Sequence, residues 1–246
     1  MQSAYDTIAG CGEGLKIVEQ VRMLEAATAA LGQEVELANK YKVYAKDGRE
    51  QLFLAEESTG CCQRQMKQCC GDCAPWSVKI KHTKGRRDEE VLRMERPFTM
   101  TCCCFNRPIV TVRDMDDNVI GSIRDPWHLC DNDFTIRDAQ GEPRITANGG
   151  CCQWGLCLPL PCGPCSVVDF PLKDTSGTLV GNITKKVPGI CKWCFASDVD
   201  NYHVDFPALK APADRLLTMA LAIFIDFRMF NNNRSDENDN IDGGAE

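Results

Sequence analysis

Leu216 to Ile225, LLTMALAIFI, is a run of ten residues without a charge near the end of an otherwise mostly polar chain. A helix that crosses a bilayer needs about 20 apolar residues, whereas a run of about 10 to 14 is more often a buried core helix. Asp214 and Arg215 before the run, and Asp226 and Arg228 after it, hold the apolar length to the shorter class. Pro212 is placed to open a helix and Asn231-Asn232-Asn233 to close it, so the pattern predicts one helix over 212–230. That helix is apolar nearly all round and must be enclosed, by lipid or by protein. What the remainder of the chain builds decides between them.

Upstream, the apolar period is two, and one unit repeats. Residues 42–44 and 51–54 flank Lys46-Asp47-Gly48, and 77–81 and 91–94 flank Lys84-Gly85. Residues 109–113 and 119–123 flank Asp116-Asp117-Asn118, and 134–137 and 144–146 flank Asp138-Ala139-Gln140-Gly141. Residues 167–170 and 179–183 flank Asp174-Thr175-Ser176-Gly177. Each unit reads as a β-hairpin: strand, turn rich in Asp, Asn or Gly, strand. Five hairpins give ten strands, and 192–196 and 202–206 supply two more. So long a sheet must curl or expose a sticky edge, and closing into a barrel removes the edge. A barrel of about twelve strands has a lumen too wide for its own side chains, so it needs a plug. The fold expected is therefore mostly β: a twelve-stranded antiparallel barrel enclosing the hydrophobic C-terminal helix.

Around this domain, 38–230, the chain divides into three smaller pieces. Residues 1–12 carry no pattern and read as loose. From Glu13, the apolar positions Ile17, Val21, Leu24 and Leu31 recur at three- and four-residue steps, which predicts an amphipathic helix stopped by Gly32, with a linker to 37. Residues 231–246 are polar and acidic and read as a disordered tail.

The chain of 246 residues has a net charge of −7, which argues against nucleic acid as a partner. Its seventeen cysteines stand out. The first residues lack both a basic start and an apolar run, so no signal peptide is expected and the protein is not expected to be secreted. In a reducing compartment thiols serve as metal ligands, acylation sites or small hydrophobes. They cluster between the strands: at 61, 62, 69, 70 and 73; at 102–104; at 151, 152, 157, 162 and 165; and at 191 and 194. In an antiparallel barrel the first three groups fall at one end. The Cys-x2-Cys pairs Cys70/Cys73, Cys162/Cys165 and Cys191/Cys194 have the spacing of zinc knuckles. Each supplies half a site, so a zinc or iron–sulfur centre would combine loops.

The ordered set Asn39-Lys40-Tyr41, Phe53-Leu54-Ala55-Glu56-Glu57, Cys61-Cys62, Glu95-Arg96-Pro97, Cys102-Cys103-Cys104, Trp127-His128, Phe134-Thr135-Ile136, Asp169-Phe170, Asp200-Asn201-Tyr202 and Phe224-Ile225-Asp226-Phe227 resembles the phospholipid scramblase family. That family is related to tubby-like proteins, whose fold is a twelve-stranded barrel around a hydrophobic helix. The resemblance implies ATP-independent, calcium-responsive movement of phospholipids between leaflets, at the cytosolic or matrix face of a membrane. It implies palmitoylation of Cys102, Cys103 and Cys104. One acyl chain anchors only marginally, so two or more are expected. The chain departs from better-known members in lacking a proline-rich N-terminal segment and in reducing a basic import signal to Lys185-Lys186 after Thr184.

The family's calcium segment falls on DVDNYHVDFPAL, from Asp198 to Leu209, with Asp198, Asp200 and Asp205 as ligands. A calcium loop wants acids at its first, third, fifth and twelfth positions and glycine at the sixth. Tyr202, His203 and Leu209 occupy the last three, so weak binding is expected, or else a turn followed by the last strand. Trp127-His128 reads as packing. With three histidines and no phosphate loop, zinc-protease helix or serine elbow, no covalent catalysis is expected. Two other classes stay open. One is a tubby-type lipid-binding module using the basic stretch Lys79, Lys81, Lys84, Arg86 and Arg87; the other is a structural subunit of a larger membrane complex.

Overall fold

The computed structural model describes residues 2–20, 39–58, 66, 73–83, 89–100, 106–127, 131–157, 163–186 and 198–230. The strands are β1 (Gly14–Gln20), β2 (Lys40–Ala45), β3 (Gln51–Glu57), β4 (Trp76–His82), β5 (Glu89–Arg96) and β6 (Ile109–Asp114). They continue as β7 (Val119–Arg124), β8 (Asp131–Asp138), β9 (Pro143–Gly150), β10 (Val167–Asp174), β11 (Leu179–Lys186) and β12 (Asp198–Asp205). Every neighbouring pair is antiparallel, and β1 pairs with both β2 and β12, so the sheet closes as the hairpin count predicts.

Three of the hairpin turns share a mechanism. Asp114, Asp138 and Asp174 each accept, through Oδ1, the amides of the second and fourth residues beyond: Asp116 and Asn118, Gln140 and Glu142, Ser176 and Thr178, at 2.8 to 3.0 Å. The third residue beyond each Asp is left-handed: Asp117 at φ 64°, Gly141 at 85° and Gly177 at 82°. This backbone suits Gly and is tolerated by Asp. All five hairpin turns lie at one end of the barrel, called here the turn end; the remaining connections attach at the other end, the rim.

β1 corrects the sequence reading. Residues 14–20 form a strand where 13–31 predicts a helix, and 21–38 lie outside the described residues. Both patterns fit Leu15, Ile17 and Val18, and the choice is made by partners far away in sequence: Leu15 lies opposite Val204 and Ala45. The expected strand at 192–196 also lies outside the described residues, so the closing strands observed are β1 and β12. A helix forms instead at α1 (Gln2–Gly10), in a segment expected to be loose. Ala4 and Ile8, one turn apart, are fully buried. The Arg215 guanidinium donates to the carbonyls of Ile8, Ala9 and Gly12 at 3.3, 3.4 and 2.9 Å, meeting the open carbonyls of the helix C-terminus.

The next helix, α2 (Trp154–Cys157), is a single turn between β9 and β10. α3 (Pro212–Ile225) enters the lumen from the turn end, and all ten residues Leu216–Ile225 are buried. At 1.5 Å per residue, its 14 residues span about 21 Å, close to the height of the six- to eight-residue strands around it. Phe224 meets Phe134 edge-on at 5.7 Å, and Phe227 stacks on Trp76 at 4.9 Å. Gly121 lets the helix approach: a Cβ there would lie 2.6 Å from Leu217 Cδ1 and 2.5 Å from the Arg137 carbonyl oxygen. Among the described residues no helix is long and apolar enough to cross a membrane. The wall alternates apolar inward with polar outward, the reverse of a transmembrane barrel.

Candidate functional site: the rim and the buried end of the central helix

α3 runs into a π-helical turn, Asp226–Phe230, near the rim. The sequence treats Asp226 as a polar flank outside the apolar run, whereas the structure buries it to 1% exposure. It is tolerated there because three donors converge on it. Tyr41 Oη donates to Oδ2 at 2.7 Å, while Tyr202 Oη and Lys185 Nζ donate to Oδ1, each at 2.8 Å. Burial works to raise the Asp226 carboxyl, but the Lys185 charge and the three hydrogen bonds outweigh it and hold the group below the ordinary carboxylate range. Burial, then the Asp226 charge, pushes both tyrosines well above the usual phenol value. Lys185 is therefore engaged inside the barrel, and only Lys186 of the Lys185-Lys186 pair stands exposed. Beside this cluster, Asp125 receives Arg228 Nε at 2.9 Å and also pairs with Arg107, tying the end of the helix to the rim end of β7.

The calcium candidates are not brought together. Asp198, Asp200 and Asp205 all lie on β12, the first and last opposite Gln20 and Gly14. Seven strand steps separate Asp198 from Asp205 by about 23 Å, while calcium binds its ligands at 2.3–2.6 Å. Asp205 is occupied instead by Lys46, at 2.7 Å. The segment from Asp198 to Asp205 takes the form of a strand, the alternative to a calcium loop that the sequence allows.

The cysteine-bearing connections attach where the alternation predicts. Every cysteine-bearing connection except the one holding Cys11 attaches at the rim. Cys73, Cys151, Cys152 and Cys165 are described, and the Sγ atoms of Cys151 and Cys152 lie 3.6 Å apart. The candidate acylation sites Cys102, Cys103 and Cys104, and the candidate ligands Cys70, Cys162, Cys191 and Cys194, lie outside the described residues. Among the described residues no three metal-ligating side chains cluster. Cys11, at the turn end, bonds through Sγ to the Ile8 carbonyl at 3.0 Å, and burial raises its thiol.

Lys79 and Lys81 do not frame an open basic pocket. Lys79 pairs with Glu90 at 3.5 Å, and Lys81 shares Glu56 with Lys40 on the outer wall. Lys84, Arg86 and Arg87 lie outside the described residues. Trp127 is 47% exposed, against the packing role that the sequence suggests; His128 lies outside the described residues.

The Scramblase family model matches residues 4–232, which include most of α1, the whole barrel and α3. The chain belongs to the Scramblase family. It is 28% identical to phospholipid scramblase 2 of Bos taurus over 92% of this chain and 74% of that one. It is 27% identical to phospholipid scramblase 1 of Mus musculus and 29% identical to that of Homo sapiens. Those matches cover 91% and 90% of this chain but only 62% and 64% of the relatives' lengths. No solved structure matches the chain.

The sequence missed Lys185, Asp226 and Trp154. A carboxylate one residue past an apolar run, with a lysine in a strand expected to pass the same helix, is the signal that could have suggested the first two. Nothing local marks Trp154.

Proposed function

We propose that this chain is a phospholipid scramblase-like protein that moves phospholipids in both directions between leaflets without ATP. The observation that carries the reading is the family match across the entire barrel and its central helix. The protein acts on phospholipid from the cytosolic or matrix face, held by palmitoyl chains on at least two of Cys102, Cys103 and Cys104. No covalent step on the lipid is part of this reading. α3 is taken up by the barrel, so the lipid path is not a single span of that helix. Any calcium response arises elsewhere than in a three-aspartate loop on β12.

Reconstitution of the full chain into vesicles with labelled lipid, with and without calcium, tests the reading. Transfer between leaflets above that of protein-free vesicles supports it. The enclosure of α3 favours one alternative, a non-catalytic lipid-binding or structural subunit. Vesicle binding without transfer, or co-purification with a membrane complex, would replace scrambling with that role. Release of fatty acid by hydroxylamine, abolished when all three cysteines are changed to Ser, tests the acyl anchor separately.

A further inference from the structure

Large exposed apolar side chains are distributed unequally between the two ends of the barrel. Among the described residues, Phe98, Met100, Ile109, Trp127 and Trp154 are 44% to 74% exposed, and all lie at the rim. They follow β5, open β6, follow β7 and start α2 after β9, so they occupy one arc of the circumference, from β5 to β10. At about 4.8 Å per strand, that arc is on the order of 24 Å across. The same connections carry Cys102–Cys104, Cys130 and the pair Cys151-Cys152.

At the turn end, three of the turns bordering this arc are acidic: 114–118, 138–142 and 174–178 hold Asp114, Asp116, Asp117, Asp138, Glu142 and Asp174, and no lysine or arginine. The basic residues Lys84, Arg86 and Arg87 belong to the fourth, between β4 and β5, at one edge of the arc. Two large apolar side chains, Met115 and Leu179, are exposed at that end. α1 also covers part of it, packed against α3.

We infer that the β5–β10 arc of the rim is the surface by which the barrel docks end-on to a phospholipid bilayer, with Met100, Trp127 and Trp154 entering the interfacial layer. This rests on the reading of the chain as a phospholipid-handling protein and adds the orientation and the residues. Trp combines a large apolar ring with a donor N–H and favours the membrane–water interface. Aromatic side chains on separate connections along one arc suit a fluid surface, which accepts each one independently. The acid-rich turns on the far side face away from an anionic leaflet, where they would be repelled. The polar outer wall keeps the barrel standing in water while its rim enters lipid.

The test uses the full chain in vesicles of phosphatidylcholine and phosphatidylserine whose acyl chains carry bromine near the glycerol, a contact quencher of indole emission. Three proteins are compared, all carrying Trp193→Phe: one with no other change, one with Trp127→Phe/Trp154→Phe added, and that double variant with Leu179→Trp added as a reporter at the turn end. Trp127, Trp154 and Leu179 are exposed, and Trp76, packed against the core, remains the common background. The first is expected to be quenched, the double variant to lose most of the quenching, and Leu179→Trp not to restore it. A triple change, Met100→Ser/Trp127→Ser/Trp154→Ser, should lower the vesicle-bound fraction by about tenfold or more. Quenching that survives in the double variant, quenching restored by Leu179→Trp, or failure of the chain to float with vesicles would overturn the proposal. Lipid transfer measured in the same vesicles keeps the two readings apart. Rim quenching without transfer removes scrambling and leaves the docking surface, whereas transfer without rim quenching does the reverse.

Discussion

Lys185 and Asp226 meet inside the barrel with 2.8 Å between Nζ and Oδ1, joining the rim end of β11 to the last turn of the central helix. The carboxylate is 1% exposed and the lysine 8%. Removing one partner of such a pair leaves the other charge buried without its counterion. Lys185→Met is expected to cost about 3 to 5 kcal/mol, read from the urea midpoint. Adding Asp226→Asn should cost less than the sum of the two single changes, because the stranded charge is then gone.

Stability against pH follows from the same cluster. The folded pKa of Asp226 lies below its unfolded value, so its contribution is present above about pH 4 and is lost as pH falls through the folded value. The pKa values of Tyr41 and Tyr202 are raised, so their contribution is present below about pH 10 and is lost as pH rises beyond it. Denaturant midpoints should therefore be flat from about pH 4 to pH 10 with respect to these groups. In Tyr41→Phe/Tyr202→Phe, the alkaline loss should shrink while the midpoint near neutrality falls.

Arg215 holds α1 by donating to three of its terminal and following carbonyls, while its guanidinium lies over Phe206 at 5.0 Å. Arg215→Met should release that helix before the barrel opens. Amide hydrogen exchange over residues 4–10 should accelerate at least about tenfold, the equivalent of losing one or two charge-assisted hydrogen bonds. Exchange in β6 to β11 should stay slow.

Gly181 sits where a Cβ would lie 2.2 Å from the Asp205 carbonyl oxygen, a backbone atom with no rotamer to yield. Gly181→Ala is expected to cost about 3 kcal/mol or more in thermal or urea unfolding. Gly141→Ala, at an open turn but with φ 85°, should cost about 1 kcal/mol.

Asp205 already pairs with Lys46 and lies a strand's length from Asp198. In vesicles that show calcium-stimulated lipid transfer, Asp205→Asn should leave the calcium concentration for half-stimulation unchanged. A shift of tenfold or more would place Asp205 in a calcium site after all.

Much of this architecture is legible in the chain because its contacts are local. Each hairpin pairs residues a few positions apart, three of them across a turn anchored by Asp114, Asp138 or Asp174, so alternation and turn chemistry suffice to find all five. The repeat Val119-Ile120-Gly121-Ser122-Ile123 and Leu179-Val180-Gly181-Asn182-Ile183 recurs at second strands where a glycine permits close approach, to Leu217 in one case and to the Asp205 backbone in the other. β1 is the opposite case. It has no hairpin partner, its apolar positions fit a helix as well as a strand, and only β12, at the far end of the sequence, decides which forms. Asp226 is hidden from a sequence reading for a related reason: a carboxylate after an apolar run looks like a solvent boundary unless the lysine and tyrosines that satisfy it are known.

Read alone, the chain already required that ten apolar residues be enclosed, that a twelve-stranded sheet close around them, and that the connections holding all its cysteines but Cys11 attach at one end. Those outcomes depend on side-chain period and on the alternation of connections, both one-dimensional properties. It took the closed barrel to put Asp226 inside, Asp198 and Asp205 at opposite ends of one strand, and the exposed aromatic side chains Phe98, Trp127 and Trp154 at the rim. Burial and distance depend on which distant segments meet, and that is fixed when the barrel closes.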